Sequence, residues 1–155
     1  MSSDIVTNRK AFRDYTIEEK LEAGIVLTGT EIKSVRQGFA AVMGAFARIE
    51  KGEAILYGVD IKPYDKASHE NHKAKRPRKL LLHRREIDHL FGAVTVKGRT
   101  LVLLRLYWKR GRVKAELGIG KGKVAADKRQ DLKKRTELRE VEREMAHANR
   151  KGRSR

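Results

Sequence analysis

The chain contains no cysteine, only two prolines, one tryptophan, four tyrosines and four phenylalanines. Without cysteine there are no disulfides, no thiolate metal ligands and no cysteine nucleophile. No apolar run approaches the roughly 18–20 residues that cross a bilayer, and the opening MSSDIVTNRK lacks the apolar segment of a signal peptide. A soluble, cytoplasmic protein without a membrane partner is expected. Acid is also scarce: 20 Asp and Glu face 37 Lys and Arg, a formal net charge of +17. That exceeds the charge of about 2–8 that solubility asks of a small domain. A polyanion partner follows. No basic amphipathic segment has a broad apolar face, so nucleic acid is favoured over a membrane surface.

The stretch GIGKGKVAADKR, residues 118–129, invites a phosphate-loop reading, which its spacing refuses. Positions 115 and 117, where a first glycine would stand, are Ala115 and Leu117, and Val124 occupies the place of the required hydroxyl. Gly118, Gly120 and Gly122 read G-x-G-x-G, which is not the dinucleotide fingerprint. The stretch reads as a flexible, cationic exit from what precedes it. No cofactor is expected. His69 and His72 could share a metal, but no third ligand is near them in sequence, so no metal site is expected. A ribonuclease could use His and Lys, or carboxylates such as Glu18 and Glu19, as acid and base. Nothing in the sequence specifies that geometry, and no catalytic residues are assigned.

Alternation dominates the middle of the chain. Val102, Leu104, Leu106 and Trp108 fall on one side of a strand, while Arg105, Tyr107 and Lys109 fall on the other. After Arg110-Gly111, Val113, Ala115, Leu117 and Ile119 are the apolar phase of the return strand, giving a hairpin with one wet, basic face. AFARIE and EAILYGVDI, joined by Lys51-Gly52, form a second hairpin with Ile55, Tyr57, Val59 and Ile61 in phase, and GIVLTG adds a strand. Two helices are expected. One follows the capping-box pair Thr28 and Glu31 and stops at Gly38; the other runs from about His83 to Phe91, with Ile87, Leu90 and Phe91 on one side. The fold class is mainly β with flanking α, a small antiparallel sheet or barrel over residues 1–120. Residues 121–155 carry 13 Lys and Arg, six acids and no aromatic. They read as a basic tail, disordered alone and helical against a partner.

Two acid-free runs concentrate the charge. Residues 71–85 hold Lys73, Lys75, Arg76, Arg78, Lys79, Arg84 and Arg85, and residues 89–115 hold seven Lys or Arg. Such runs repel themselves unless phosphates neutralise them, with counterion release as the driving term. Arg78, Lys79 and His83 are therefore candidate RNA contacts, as are Arg105, Tyr107 and Lys109 of the hairpin, Tyr107 by stacking on a base. Lys33 and Arg36, one helical turn apart, are further candidate phosphate ligands.

The segments NRKAFRDY, LEAGIVLTGTEIKSVRQG, RPRKLLLH, LVLLRLYWKRGRVKAELGIGKGK and DKR, in this order, resemble the SsrA-binding protein family, the protein partners of transfer-messenger RNA. The resemblance implies an oligonucleotide-binding-like barrel that docks the transfer-RNA-like domain. It also implies a tail that folds in the vacant A site and empty messenger channel of a stalled ribosome, elongation factor Tu in the delivery complex, and no catalysis. A monomer is expected. Carried over by position, RNA contacts fall on Glu22, Leu81 and His83. The functional tail falls on Lys121, Lys123, Asp127, Lys128 and Arg129, with Met145 at an apolar position of the tail helix. Ala125 and Ala126 stand where the family usually has an aromatic or histidine. A structural ribosomal protein, also small, basic and tailed, is the alternative.

Overall fold

The computed structural model describes residues 2–67, 70–123 and 125–153, without the side chains of residues 2, 125–128 and 151–153. The chain divides after Gly122 into two compact units.

The first unit is antiparallel β with three short helices. Strand β1 (Ser2–Thr7) leads into helix α1 (Arg9–Asp14), strand β2 (Tyr15–Ile25) and helix α2 (Gly29–Arg36). Strands β3 (Ala40–Ala41), β4 (Phe46–Glu50), β5 (Glu53–Tyr57), β6 (Asp60–Ile61) and β7 (Arg78–Leu81) follow. Helix α3 (Arg84–Val94) and the long hairpin β8 (Arg99–Lys109) and β9 (Arg112–Gly122) complete it. Pairings run from β8 through β4, β5, β7, β2 and β9 and return to β8, while β3 and β6 pair separately. The β4–β8 and β2–β7 junctions in this circuit are short: Phe46 and Ala47 meet Val102 and Leu101, and Gly24 and Ile25 meet Leu81 and Leu80. Both tight turns read in the sequence are present. Lys51 and Gly52, and Arg110 and Gly111, all have positive φ, the twist that two-residue hairpins favour.

The hairpin's alternation is split by a bulge. The β8–β9 register shifts between Leu103 and Arg105, and an extra residue in one strand reverses the phase beyond it. Leu101 and Leu103 thus share the main core with Leu106, whereas Val102 and Leu104 point to the other side. There α1 covers them with Ala11, and Phe12, Tyr15 and Ile17 pack alongside. Asn8 joins helix and bulge: its amide Nδ2 donates to the Leu103 carbonyl at 2.8 Å, and its Oδ1 accepts from Ala11 N–H at the start of α1. The single apolar face expected from Val102 to Trp108 is therefore corrected to two.

The expected capping box is formed. Thr28 accepts from Glu31 N–H, the Glu31 carboxylate accepts from Thr28 N–H at 2.9 Å, and Gly38 at φ +82° follows the helix end. Other readings shift. Helix α3 runs past Gly92 to Val94, and its buried side is Leu90 with Ala93 and Val94, while Phe91 faces solvent. In β5 the buried phase is Ala54 and Leu56; the left-handed Gly58 then resets the phase so that Val59 and Ile61 are buried. Of GIVLTG only Gly24 and Ile25 are strand, at the end of β2. In the second unit helix α4 spans Ala125–Arg153, and most of its described side chains are exposed.

Candidate nucleic-acid interface

Near the closed end of the β8–β9 hairpin, two carboxylates meet across adjacent strands. Glu22 of β2 lies opposite Glu116 of β9. Like charges so placed repel, and cations divide them. Arg105 donates through Nε to Glu116 at 3.1 Å and also pairs with Asp4. The Tyr107 hydroxyl and Lys109 Nζ both donate to Glu22 Oε2, the latter at 3.1 Å. Arg105 lies over the Tyr107 ring, 4.2 Å from its centroid. The hydrogen bonds from Tyr107 and Lys109 hold the Glu22 carboxyl below its ordinary value. Burial, and then the Glu22 carboxylate, push the Tyr107 phenol upward. At neutral pH Glu22 is thus an anion and Tyr107 a hydrogen-bond donor.

This network floors an open groove of about 490 Å³ lined by Lys20, Glu22, Arg105, Tyr107, Lys109 and Arg110. A neighbouring hollow adds Arg112 and Lys114. Those two residues also edge a more apolar notch of about 180 Å³ that includes Gly24, Ile32, Leu81 and Trp108. Leu81 is 55% exposed. It packs close to Gly24, where a Cβ would stand 3.1 Å from Leu81 Cβ. Arg36 of α2 reaches the Trp108 ring, 5.9 Å from its centroid. Chain segments far apart in sequence therefore meet as a cationic groove beside an apolar step. Arg110, Arg112 and Lys114 form no ion pair with a described residue.

The structure gathers Glu22, Leu81, Arg36, Arg105 and Lys109 around this groove and its notch. Lys79 shares the outward side of β7 with Leu81 and pairs with Glu53 at 3.0 Å. His83 precedes α3, exposed, its backbone N–H donating to Glu86 at 3.0 Å. Lys33 lies over the Tyr64 ring at 5.5 Å, away from the groove lining.

Two candidate contacts are corrected. Arg78 is 1% exposed; its guanidinium pairs with Glu31 and donates to the carbonyls of Val59 at 2.8 Å and of Arg76 and Ala74 at 3.0 Å. It holds the fold and cannot reach a phosphate. Tyr107 is 3% exposed and roofed by Arg105, so its ring is not a stacking platform.

The acid-free runs are partly balanced in space: Glu18 pairs with Arg99, Glu31 with Arg76 and Arg78, and Asp88 with Arg84. Glu18 and Glu19, considered as a catalytic pair, are engaged separately by Arg99 and His89. His72 is buried between Thr30 and the Ile61 carbonyl, each 2.9 Å from a ring nitrogen, and His69 lies outside the described residues. Arg110, Arg112 and Lys114 join the groove only once the strands are paired. Their signal was the acid-free run around a tight turn, which thrusts neighbouring side chains together.

The glycine stretch, read as a flexible exit, is corrected to strand. Lys121 and Gly122 are still in β9, with Lys121 opposite Thr16 and Arg99. In the second unit Lys123 pairs with Asp131, and Arg129 and Met145 are exposed. Asp127 and Lys128 lie on the backbone of α4, their side chains outside the described residues.

A coiled antiparallel sheet that carries a cationic groove with fixed carboxylates beside an exposed apolar step fits the class of RNA-binding β-proteins. The family model described as SmpB protein matches residues 5–147. The SsrA-binding protein of Corynebacterium efficiens is 57% identical over 141 residues, 91% of this chain and 86% of that one. That of Carboxydothermus hydrogenoformans is 53% identical over 142 residues, 92% and 95% of the two chains. A solved structure described as "tmRNA-SmpB: a journey to the center of the bacterial ribosome" superposes with a TM-score of 0.65 at 49% identity, covering 77% of this chain and 85% of its own. This chain belongs to the SmpB family.

Proposed function

We propose that the chain is a noncatalytic RNA-binding adaptor in trans-translation. The β unit binds the transfer-RNA-like domain of transfer-messenger RNA, and the basic tail probes the decoding region and empty message channel of a stalled ribosome. Elongation factor Tu joins the delivery complex, the chain acts as a monomer, and the site of action is the cytoplasm. The observation that carries this reading is the convergence of Glu22, Leu81 and the β8–β9 cations on one surface. Phosphates meet the cations, and an unpaired base meets the apolar step.

In a reconstituted system with ribosomes stalled at a message end, tagging of the nascent chain is expected only when both this protein and transfer-messenger RNA are added. Tagging independent of the protein would contradict the reading. A competition titration separates it from the structural ribosomal alternative: transfer-messenger RNA should displace ribosomal RNA fragments and transfer RNA, and equal affinities would favour the alternative. Labelled RNA should stay intact throughout, and cleavage would overturn the noncatalytic role.

A further inference from the structure

The groove presents a puzzle that phosphate binding leaves open. A surface that collects Lys20, Arg105, Lys109, Arg110, Arg112 and Lys114 also holds Glu22, whose side chain is 38% exposed. A carboxylate repels phosphate, so its use here is to accept from a donor. RNA offers N–H groups on bases and the ribose 2′-hydroxyl. An accepting carboxylate discriminates only if its orientation is fixed. Glu22 Oε2 takes the Tyr107 hydroxyl and Lys109 Nζ, while Oε1 is met by Lys109 at 3.3 Å. Lys109 is a flexible ammonium at the surface. Tyr107 is not flexible: its ring is buried and capped by Arg105, itself tied to Glu116 and Asp4.

We propose that Tyr107 is a positioning residue for RNA recognition: its buried hydroxyl locks Glu22 so that Oε1 accepts a hydrogen bond from a base amino group or ribose hydroxyl, with Arg105 as the brace. This rests on reading the groove as the RNA interface. Glu22 then supplies selectivity and the surrounding cations supply attraction. Tyr107→Phe removes one oxygen and keeps the ring, so it releases Glu22 without emptying the site.

The test measures transfer-messenger RNA binding by the full chain carrying Glu22→Gln, Tyr107→Phe, both together, or Lys109→Gln. Tyr107→Phe should weaken binding about tenfold, the size of one ordinary net hydrogen bond. It should leave the salt dependence unchanged and add nothing to Glu22→Gln, because both act on one contact. Lys109→Gln should reduce the salt slope by about one. In the free protein, the carbon-13 titration of the Glu22 carboxyl should move to higher pH in Tyr107→Phe, since the hydroxyl that depresses it is gone. Additive losses in the double variant, or an unmoved titration, would overturn the positioning role.

If Glu22→Gln weakens binding and Tyr107→Phe does not, the positioning role alone fails. If neither variant nor Lys109→Gln affects binding, the groove is not the interface and both readings fail. Repeating the Glu22→Gln comparison on 2′-deoxy-substituted RNA identifies the donor: an effect that persists assigns it to a base, and one that vanishes assigns it to the ribose.

Discussion

Glu31 is the acid the fold hides most completely, and its surroundings show why Arg76 and Arg78 face inward. It is fully buried, caps α2 through Thr28 N–H, and takes Arg76 from the end of the long loop and Arg78 from β7. One carboxylate thus ties three segments. Removing one member of such a group leaves the remaining charges buried and unpaired, so Glu31→Gln should cost about 3–5 kcal/mol of stability in a urea titration. Burial alone would raise the Glu31 pKa, but hydrogen bonds from Arg76, Thr28 and Arg78 outweigh it and hold the native value below the ordinary 4.5. A depressed carboxyl stabilises the native state fully above its unfolded value and loses that contribution as pH falls through the native value. Stability should therefore decline below about pH 4.5, and Glu31→Gln should flatten that decline. Arg78→Lys keeps the charge and loses the planar fork. It should lower the melting temperature in a thermal unfolding experiment, because the carbonyls of Val59, Arg76 and Ala74 lose their donors; an unchanged melting temperature would contradict the role of the guanidinium in holding the fold.

The β8–β9 hairpin shows how a composition of glycines misleads when its packing is unknown. Gly118 and Gly120 lie in β9, where a Cβ at Gly118 would come 3.0 Å from Leu104 Cδ1 and 3.1 Å from Ile17 Cγ2, and one at Gly120 would come 3.1 Å from Tyr15 Cβ. These glycines allow close approach rather than bending. Gly118→Ala should cost about 1–3 kcal/mol through overpacking, read as a lowered unfolding midpoint. A hinge glycine would tolerate the change.

The two tight turns, the capping box of α2 and the apolar phase of β9 were legible because each is a local rule written in adjacent residues. The bulge at Leu104 was not, since it exists only because α1 and Asn8 supply a second apolar cover and a partner for the displaced backbone. The groove was legible in part. Arg105 and Lys109 could be listed from charge, but Arg78 and Tyr107 look as exposed as their neighbours until the fold supplies Glu31 and Glu22.

The net charge of +17 describes the chain as a whole and overstates what any one surface offers. Several cations of the β unit are matched by acids brought from other segments, which leaves the β8–β9 turn as a concentrated site. Affinity for transfer-messenger RNA should fall with salt by about 0.7–0.9 log units per log unit for each phosphate neutralised. Arg112→Gln and Lys114→Gln should each lower that slope by about one, and an unchanged slope in both would move the interface elsewhere. Helix α4 leaves most of its described side chains exposed. The central claim is that the unit ending at Gly122 grips the RNA and the remainder acts on the ribosome. The most direct test is the affinity for transfer-messenger RNA of a chain truncated after Gly122, measured at fixed salt. The account predicts a value within about threefold of the full chain, because the groove's hydrogen bonds and ion pairs all lie before the cut; a loss of a hundredfold or more would contradict it.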